Sequence, residues 1–369
     1  MNHIVKNRGI CFLLGGFMLI IPVRGQYLEL DFAYAGLEDT EKLLQAYLEP
    51  FANILGSDLN AGWYNTARPH SLGGFDVTFS ISASWAPPAL LTYDVLSLGL
   101  NGRLGTAQSI APTIAGEMDD RPSLSYSEEV DVPDVGMVEV PLVDFTLPDG
   151  TGVNFFPTPM GQLTVGLPFG TDVSARFVPM IHLGDFGKIG LWGVGGRHSI
   201  SQWLPVIKNL KVLDISLQGG FTKVSSDVRV TVEPNLDPDN PVHAPDPQPD
   251  LNWNDQFVVQ DVKGWTLNLI ASQTLSVITF YEGLGYASSV VEMGLEGHYP
   301  IPVAIIDEND EPKVSYNRVE DPISLEYKNL NNMRVNVGVR LKLSVLTIHY
   351  DYTHTLYSTH SAGIGISFR

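Results

Sequence analysis

The sequence predicts an all-β fold, a transmembrane antiparallel β-barrel of about ten to fourteen strands with an N-terminal helical plug, and three observations carry that expectation. Segments of roughly ten residues alternate apolar and polar with period two. Only 17% of the 369 residues are charged, against about a quarter in ordinary soluble domains, so the chain has little to place on a fully wetted surface. The long connections between alternating segments all fall on one rim and the short turns on the other, a sorting that membrane barrels share and soluble sandwiches have no reason to adopt.

Taken in order, residues 1–25 read as a secretory signal peptide. Lys6 and Arg8 precede an apolar run from Ile10 to Val23, and Gly25 offers a small residue for cleavage before Gln26. The run is shorter than the roughly 20 residues a spanning helix needs. The single cysteine, Cys11, lies in this leader, so the mature chain is expected to carry no disulfide and no thiol site. Loss of Lys6, Arg8 and Arg24 takes the formal charge from -19 to -22. Such an acidic surface repels phosphate backbones, which argues against a nucleic-acid partner and leaves outer-membrane lipid as the expected one.

Residues 26–72 read as a helix followed by a loop. LEDTEKLLQAYLEPFANIL, residues 37–55, places Leu37, Leu44, Tyr47, Leu48 and Phe51 near one face. Glu38, Asp39 and Glu41 stand in its first turn, where they suit the helix dipole. Pro50 is expected to kink or end it. The turn-rich GWYNTARPH follows. This segment is expected to lie in or under the lumen as a plug, with Tyr47, Phe51, Trp63 and Tyr64 as its movable contacts.

The barrel is expected over residues 73–369, with strands at 74–85, 159–167, 171–182, 186–200, 211–232, 257–271, 275–298, 328–343, 345–356 and 360–369. FDVTFSISASW and LTIHYDYTH alternate without exception. KIGLWGVGGRH and SVITFYEGLGYASSVVEMGLEG are strand-like but blurred in phase. Short turns are expected at 167–172, 272–275 and 344–345, and long loops at 86–158, 233–256 and 300–327.

In a closed barrel every backbone group is paired, so the apolar rows can face hydrocarbon and the polar rows the interior. Trp85, Trp265, Tyr281, Tyr350 and Phe368 then stand where aromatic girdles sit. The lumen candidates are Arg176, Glu282, Arg334, Arg340, Lys342, His349 and Asp351, with Asp76, Asp172 and Asp214 as further acids that can compensate the cations across a narrow barrel. His349 and Asp351 share a face, which favours a buried hydrogen-bonded pair over a metal site, since two ligands are too few. Residues 117–149 are acidic with Arg121 as their one cation, and 233–250 hold five carboxylates and no Lys or Arg. Solvated, mobile loops are the expected form, with calcium-bridged docking to anionic lipid as the sharper reading. No nucleophile elbow, zinc helix, phosphate loop or dinucleotide fingerprint is present. The sequence therefore points to no enzyme, no cofactor and no metal.

The stretches GWYNTARPH, GFDVTFS, GRHSISQWLP, ISLQGGFT, GVRLKL and GIGISF resemble an uncharacterised family of gram-negative outer-membrane β-barrels over nearly all of the mature chain. The helix ahead of the first strand is also similar to the hatch of fatty-acid outer-membrane transporters, although no Asn-Pro-Ala stretch occurs in it. These resemblances imply an outer-membrane barrel that passes or binds a small hydrophobic solute. The alternative is a closed structural or docking barrel acting through acidic outer loops.

Overall fold

The computed structural model describes residues 37–132, 135–182, 187–204, 212–232, 253, 255–306, 311–328 and 332–368. The leader expected over 1–25 and the acidic run 233–250 lie outside the described residues. Helix α1 spans Leu37–Asn60. The strands follow in chain order as β1 (Phe75–Trp85), β2 (Thr92–Asp94), β3 (Arg103–Leu104), β4 (Ile110–Pro112), β5 (Ser123–Val132), β6 (Gly136–Thr146), β7 (Phe155–Leu167), β8 (Thr171–His182) and β9 (Gly187–Ser199). They continue as β10 (Leu213–Arg229), β11 (Phe257–Leu275), β12 (Ile278–Glu296), β13 (His298–Ile306), β14 (Pro312–Glu320), β15 (Ile323–Tyr327), β16 (Asn332–Leu343), β17 (Leu346–His354) and β18 (Thr359–Phe368).

Ten of these strands close an antiparallel ring. β1 pairs with β7, pairing continues through β8, β9, β10, β11 and β12 to β16, β17 and β18, and β18 returns to β1 from Phe75↔Phe368 to Ser84↔Thr359. Closure gives each of the ten ring strands a neighbour on both sides, the condition for facing hydrocarbon. β7 begins at Phe155, earlier than expected, and so includes Pro157 and Pro159. Its pairing with β8 starts only at Gln162↔Arg176, so this upper part serves β1 alone, where proline is tolerated. The turn expected at 272–275 lies instead at Ser276 and Val277, because β11 pairs with β12 down to Leu275↔Ile278. Ser276 and Ser344 occupy the left-handed region at φ 58° and 59° in two hairpins that share Leu-Ser-Val.

The expected inside-out pattern holds around the ring up to the aromatic rim. Val77, Phe79, Leu163, Val173, Leu217, Leu269, Val337, Ile348 and Ile364 are exposed on the outer face, while Thr78, Ser80, Thr164, Ser216, Asn268, Asn336, Thr347 and Ser361 are buried inside. Left in water, such a belt forfeits on the order of 1 kcal/mol or more per side chain, whereas acyl chains solvate it. Aromatic pairs border it. Phe75 stacks on Phe368 at one rim with centroids 5.5 Å apart. At the other rim Trp85 meets Phe155 at 4.9 Å, Trp192 meets Phe221 at 5.5 Å, and Trp265 meets Tyr286 at 5.6 Å. Trp265 to Leu275 covers about 25 Å, taking about 3.3 Å per residue and a tilt near 40°, the height of a hydrocarbon core in outer-membrane barrels.

The long-loop rim is built up rather than open. β10, β11 and β12 run on past the aromatic rim, and β15 pairs on β12 from Val291↔Tyr327 to Leu295↔Ile323. The mobile acidic loop expected at 117–149 is corrected by the β5–β6 hairpin, which occupies most of it. Leu124, Tyr126 and Phe145 of the hairpin pack with Leu43 of α1, Val95 and Leu147.

Candidate functional site

The lumen is the concave, polar, enclosed part of the molecule, and the N-terminal segment fills it from end to end. α1 starts among the long loops, where the Asp39 carboxylate accepts from the Asn101 and Gly102 amides at 2.6 and 3.2 Å and Lys42 donates to the Gly99 carbonyl at 3.1 Å. The helix then descends into the barrel. It does not end near residue 55 but runs through Pro50 to Asn60, and carbonyls in the turn ahead of Pro50 also take donors from outside the helix. The Ile114 amide donates to Tyr47 O at 2.9 Å and the Tyr327 hydroxyl to Gln45 O at 3.0 Å. Ile54, Leu55 and Leu59 bind the helix to Val224, Val262 and Val291 of the surrounding wall.

Two plug candidates lie high on this path. Tyr47 donates to the Asp149 carbonyl at 2.8 Å, and burial followed by the Asp149 charge pushes its phenol up to about 12. Phe51 meets Phe156 edge-on at 6.1 Å. Both therefore anchor the helix to the outer structure rather than touch the lumen floor.

The C-terminal end of α1 is held by cations from opposite walls. Arg176 on β8 donates to Leu59 O at 3.0 Å and Ala61 O at 2.7 Å, and Arg334 on β16 donates to Asn60 O at 2.5 Å. A helix leaves its last carbonyls without intrahelical donors and carries partial negative charge there, so two guanidiniums satisfy both requirements. Asp58 accepts from Ser84 at 2.6 Å and Thr158 at 2.8 Å, fastening a third side.

Below the helix, glycines make room for aromatics. Trp63 lies so close to the wall that a Cβ on Gly195 or Gly220 would stand 2.6 or 2.4 Å from its ring. The Arg176 guanidinium covers that ring at 3.7 Å. Tyr64 occupies the same kind of niche at Gly283, where a Cβ would fall 2.1 Å from its hydroxyl, and meets Tyr281 edge-on at 6.1 Å. Tyr281 is thus a lumen residue and not the girdle residue expected, because it shares parity with Thr279 and Gly283.

The segment leaves through the short-turn rim. Arg197 donates to both Thr66 O and the Asp172 carboxylate, Arg68 pairs with Asp214 at 2.9 Å, and Gly73 N donates to Gly166 O at 3.2 Å as β1 begins. Arg68, Arg197 and Asp58 were absent from the sequence-based candidates. Arg197 could have been found, since it keeps the inward parity of Gly193 and Gly195 within GRHS.

Of the expected lumen residues, Arg176, Arg334, Arg340, His349 and Asp351 are buried inside the barrel. Lys342 is half-buried near the short-turn rim, with Nζ 3.4 Å from Ser367 Oγ. Arg340 stands 3.9 Å from Asp76 and opposite His349 in the β16–β17 ladder. Asp351 accepts from Asn336 at 2.8 Å and Tyr281 at 3.1 Å, so the expected bond to His349 is not made among the described residues. Glu282 is corrected to the outer face. It shares parity with Phe280 and Leu284, and its cross-strand neighbours are Ala271 and Val337.

What remains of the lumen is small. One cavity of about 20 Å³ lies between Trp63, Tyr64, Asp76, Arg197, Gln218 and His349, and another of about 20 Å³ lies beside Asn60, Ser289, Arg334 and Thr353. Each has space for a water molecule or so and no more. Among the described residues no three His, Cys, Asp or Glu side chains converge as a metal-ligand set.

The sequence profile of a family described as "Family of unknown function (DUF6588)" matches residues 1–368. No curated protein matches the sequence. Among solved structures, the translocator domain of autotransporter NalP from Neisseria meningitidis is 8% identical, covering 81% of this chain and 89% of that one, with a TM-score of 0.28. The KdgM porin is 11% identical over 57% of this chain and 93% of that one at 0.24. The toluene transporter TodX of Pseudomonas putida is 8% identical over 88% and 97% at 0.16. At scores this low the fold rests on the strand pairing itself.

Proposed function

The chain belongs to the DUF6588 family, and for it we propose a plugged channel of the outer membrane, a spanning barrel closed by its own N-terminal segment and opened only when that segment moves. The observation that carries this reading is the filled lumen, where the cavities beside the plug hold about 20 Å³ each. The outward apolar belt and the sorted loops support membrane insertion with the short turns on the periplasmic side. The contacts around residues 58–68 support a removable closure. They are largely hydrogen bonds from Arg176, Arg197 and Arg334 to backbone carbonyls, groups that water can satisfy once the segment shifts. The wall left behind is lined by Ser, Thr, Asn and charged side chains, which suits a small polar solute better than the hydrophobic one expected from sequence.

The test is single-channel recording in planar bilayers with Arg176→Met/Arg334→Met. Wild type is expected to stay closed and the double variant to open frequently, since the helix end loses both caps. A variant that keeps its folded barrel yet stays as tight as wild type would contradict the channel. It would favour the second reading, a docking barrel, which draws support from the ordered outer layer of β2–β6 packed on α1.

A further inference from the structure

Outside the lumen, the outer face of β10 and β11 changes character within one rung. Phe221 and Trp265 are direct cross-strand partners at the aromatic rim. Two residues farther from the membrane, about 7 Å along the strands, Lys223 and Lys263 are direct partners as well. Like charges directly opposite in a ladder repel and destabilise it. Their carboxylate partners lie farther out, with Asp261 at 3.3 Å from Lys223 and Glu292 at 3.0 Å from Lys263. Asp261 and Glu292 are themselves opposed in the β11–β12 register. The outer face is therefore layered as apolar belt, aromatics, a cation pair, then an acid pair. Each ammonium has three donors and its carboxylate does not occupy all of them. Both lysines are partly exposed, at 29% and 41%. Aromatic rings settle at headgroup depth, so the cation pair stands where headgroup phosphates of the surrounding leaflet lie.

We propose that Lys223 and Lys263, above the Phe221–Trp265 pair, bind a phosphate of an outer-leaflet lipid, whose acyl chains continue down the apolar rows of β10 and β11. The phosphate enters between the two ammoniums from the membrane side and relieves their repulsion. The acid pair one rung outward excludes anions approaching from the aqueous side, which selects a phosphate carried by a lipid over a free one. The site rests on the membrane-inserted reading of the barrel.

The test is native mass spectrometry of the full detergent-solubilised barrel with bisphosphorylated lipid A as probe and its dephosphorylated form as control. Wild type is expected to retain the phosphorylated probe, and Lys223→Gln/Lys263→Gln to lose retention by about tenfold or more, as two cations near a charged lipid surface warrant. Arg103→Gln, an exposed cation paired with Glu139 in the separate β3–β5–β6 sheet, is expected to leave it unchanged. Equal retention by the double variant, equal retention of the dephosphorylated form, or displacement by millimolar inorganic phosphate would each overturn the proposal. Failure of the membrane reading is separate, because it shows as a wild-type chain that stays monodisperse without detergent before any lipid is added.

Discussion

Below the Phe221–Trp265 pair, β10–β12 turn Leu217, Leu267, Leu269 and Leu284 outward and Ser216, Gln218, Asn268 and Thr279 inward. Above it the outward positions hold Lys223, Asp261, Lys263 and Glu292, and the inward ones hold Val224, Val262, Val291 and Met293. No register shift separates the two regions, since β10–β11 and β11–β12 pair continuously from end to end. The backbone is one object, and only its solvent changes. Hydrocarbon outside requires greasy outer rows and permits a polar lumen; water outside requires the reverse, and the inner rows then pack on Leu55 and Leu59 of α1. The rung at which the pattern turns over marks the membrane boundary.

Two pairs of substitutions sharpen that comparison, the pair with the larger leading cost first. Leu191→Ala removes a buried inward side chain from the extended region and is expected to cost about 2–5 kcal/mol in denaturant unfolding. Leu217→Ala, outward in the belt, costs a fraction of that, because lipid fills the space. Leu269→Arg, mid-belt, is expected to cost about 2–4 kcal/mol when folded into bilayers. Val259→Arg, on the same outer face of β11 but above the boundary, is expected within about 0.5 kcal/mol of wild type. Equal costs for the two arginines would erase the boundary.

The smallest effect is electrostatic. In the extended region Asp255 lies 2.6 Å from His298 and 3.7 Å from Arg318. The hydrogen bond from His298, with lesser help from the Arg318 charge, holds the Asp255 carboxyl below its usual range. A folded-state pKa below the unfolded value near about 3.9 gives stability that is present above that pH and lost as acid protonates the folded carboxylate. The pair is exposed and screened, so Asp255→Asn is expected to cost under about 0.5 kcal/mol at pH 7, and progressively less as the pH falls below the unfolded carboxylate value. Urea titrations over a falling pH series check this.

The ring was legible because its determinant is local. A strand with one wet and one greasy face writes its parity into every second residue, and LTIHYDYTH or FDVTFSISASW could be read without partners. The blurred stretches were those in which the two solvents meet. KIGLWGVGGRH passes from Ile189 and Leu191 inside to Trp192 and Val194 outside, and the β12 segment inverts in the same way after Tyr286. Glu282 was misplaced because its polarity was weighed above its parity with Phe280 and Leu284. The plug was visible as a helix, but its fastenings were not. Arg176 and Arg334 meet carbonyls more than a hundred residues away in sequence, and Gly195, Gly220 and Gly283 matter through what faces them, which no single strand records.

The most direct measurement is tryptophan quenching by brominated phosphatidylcholine in reconstituted vesicles, using variants that retain a single tryptophan. Trp265 is exposed on the outer face at the rim and Trp63 is buried in the lumen. Strong quenching of Trp265 with Trp63 left bright is the expected result. Quenching of Trp63 as strong as that of Trp265, or no quenching of Trp265, would contradict a barrel whose apolar rows face lipid around an occupied lumen.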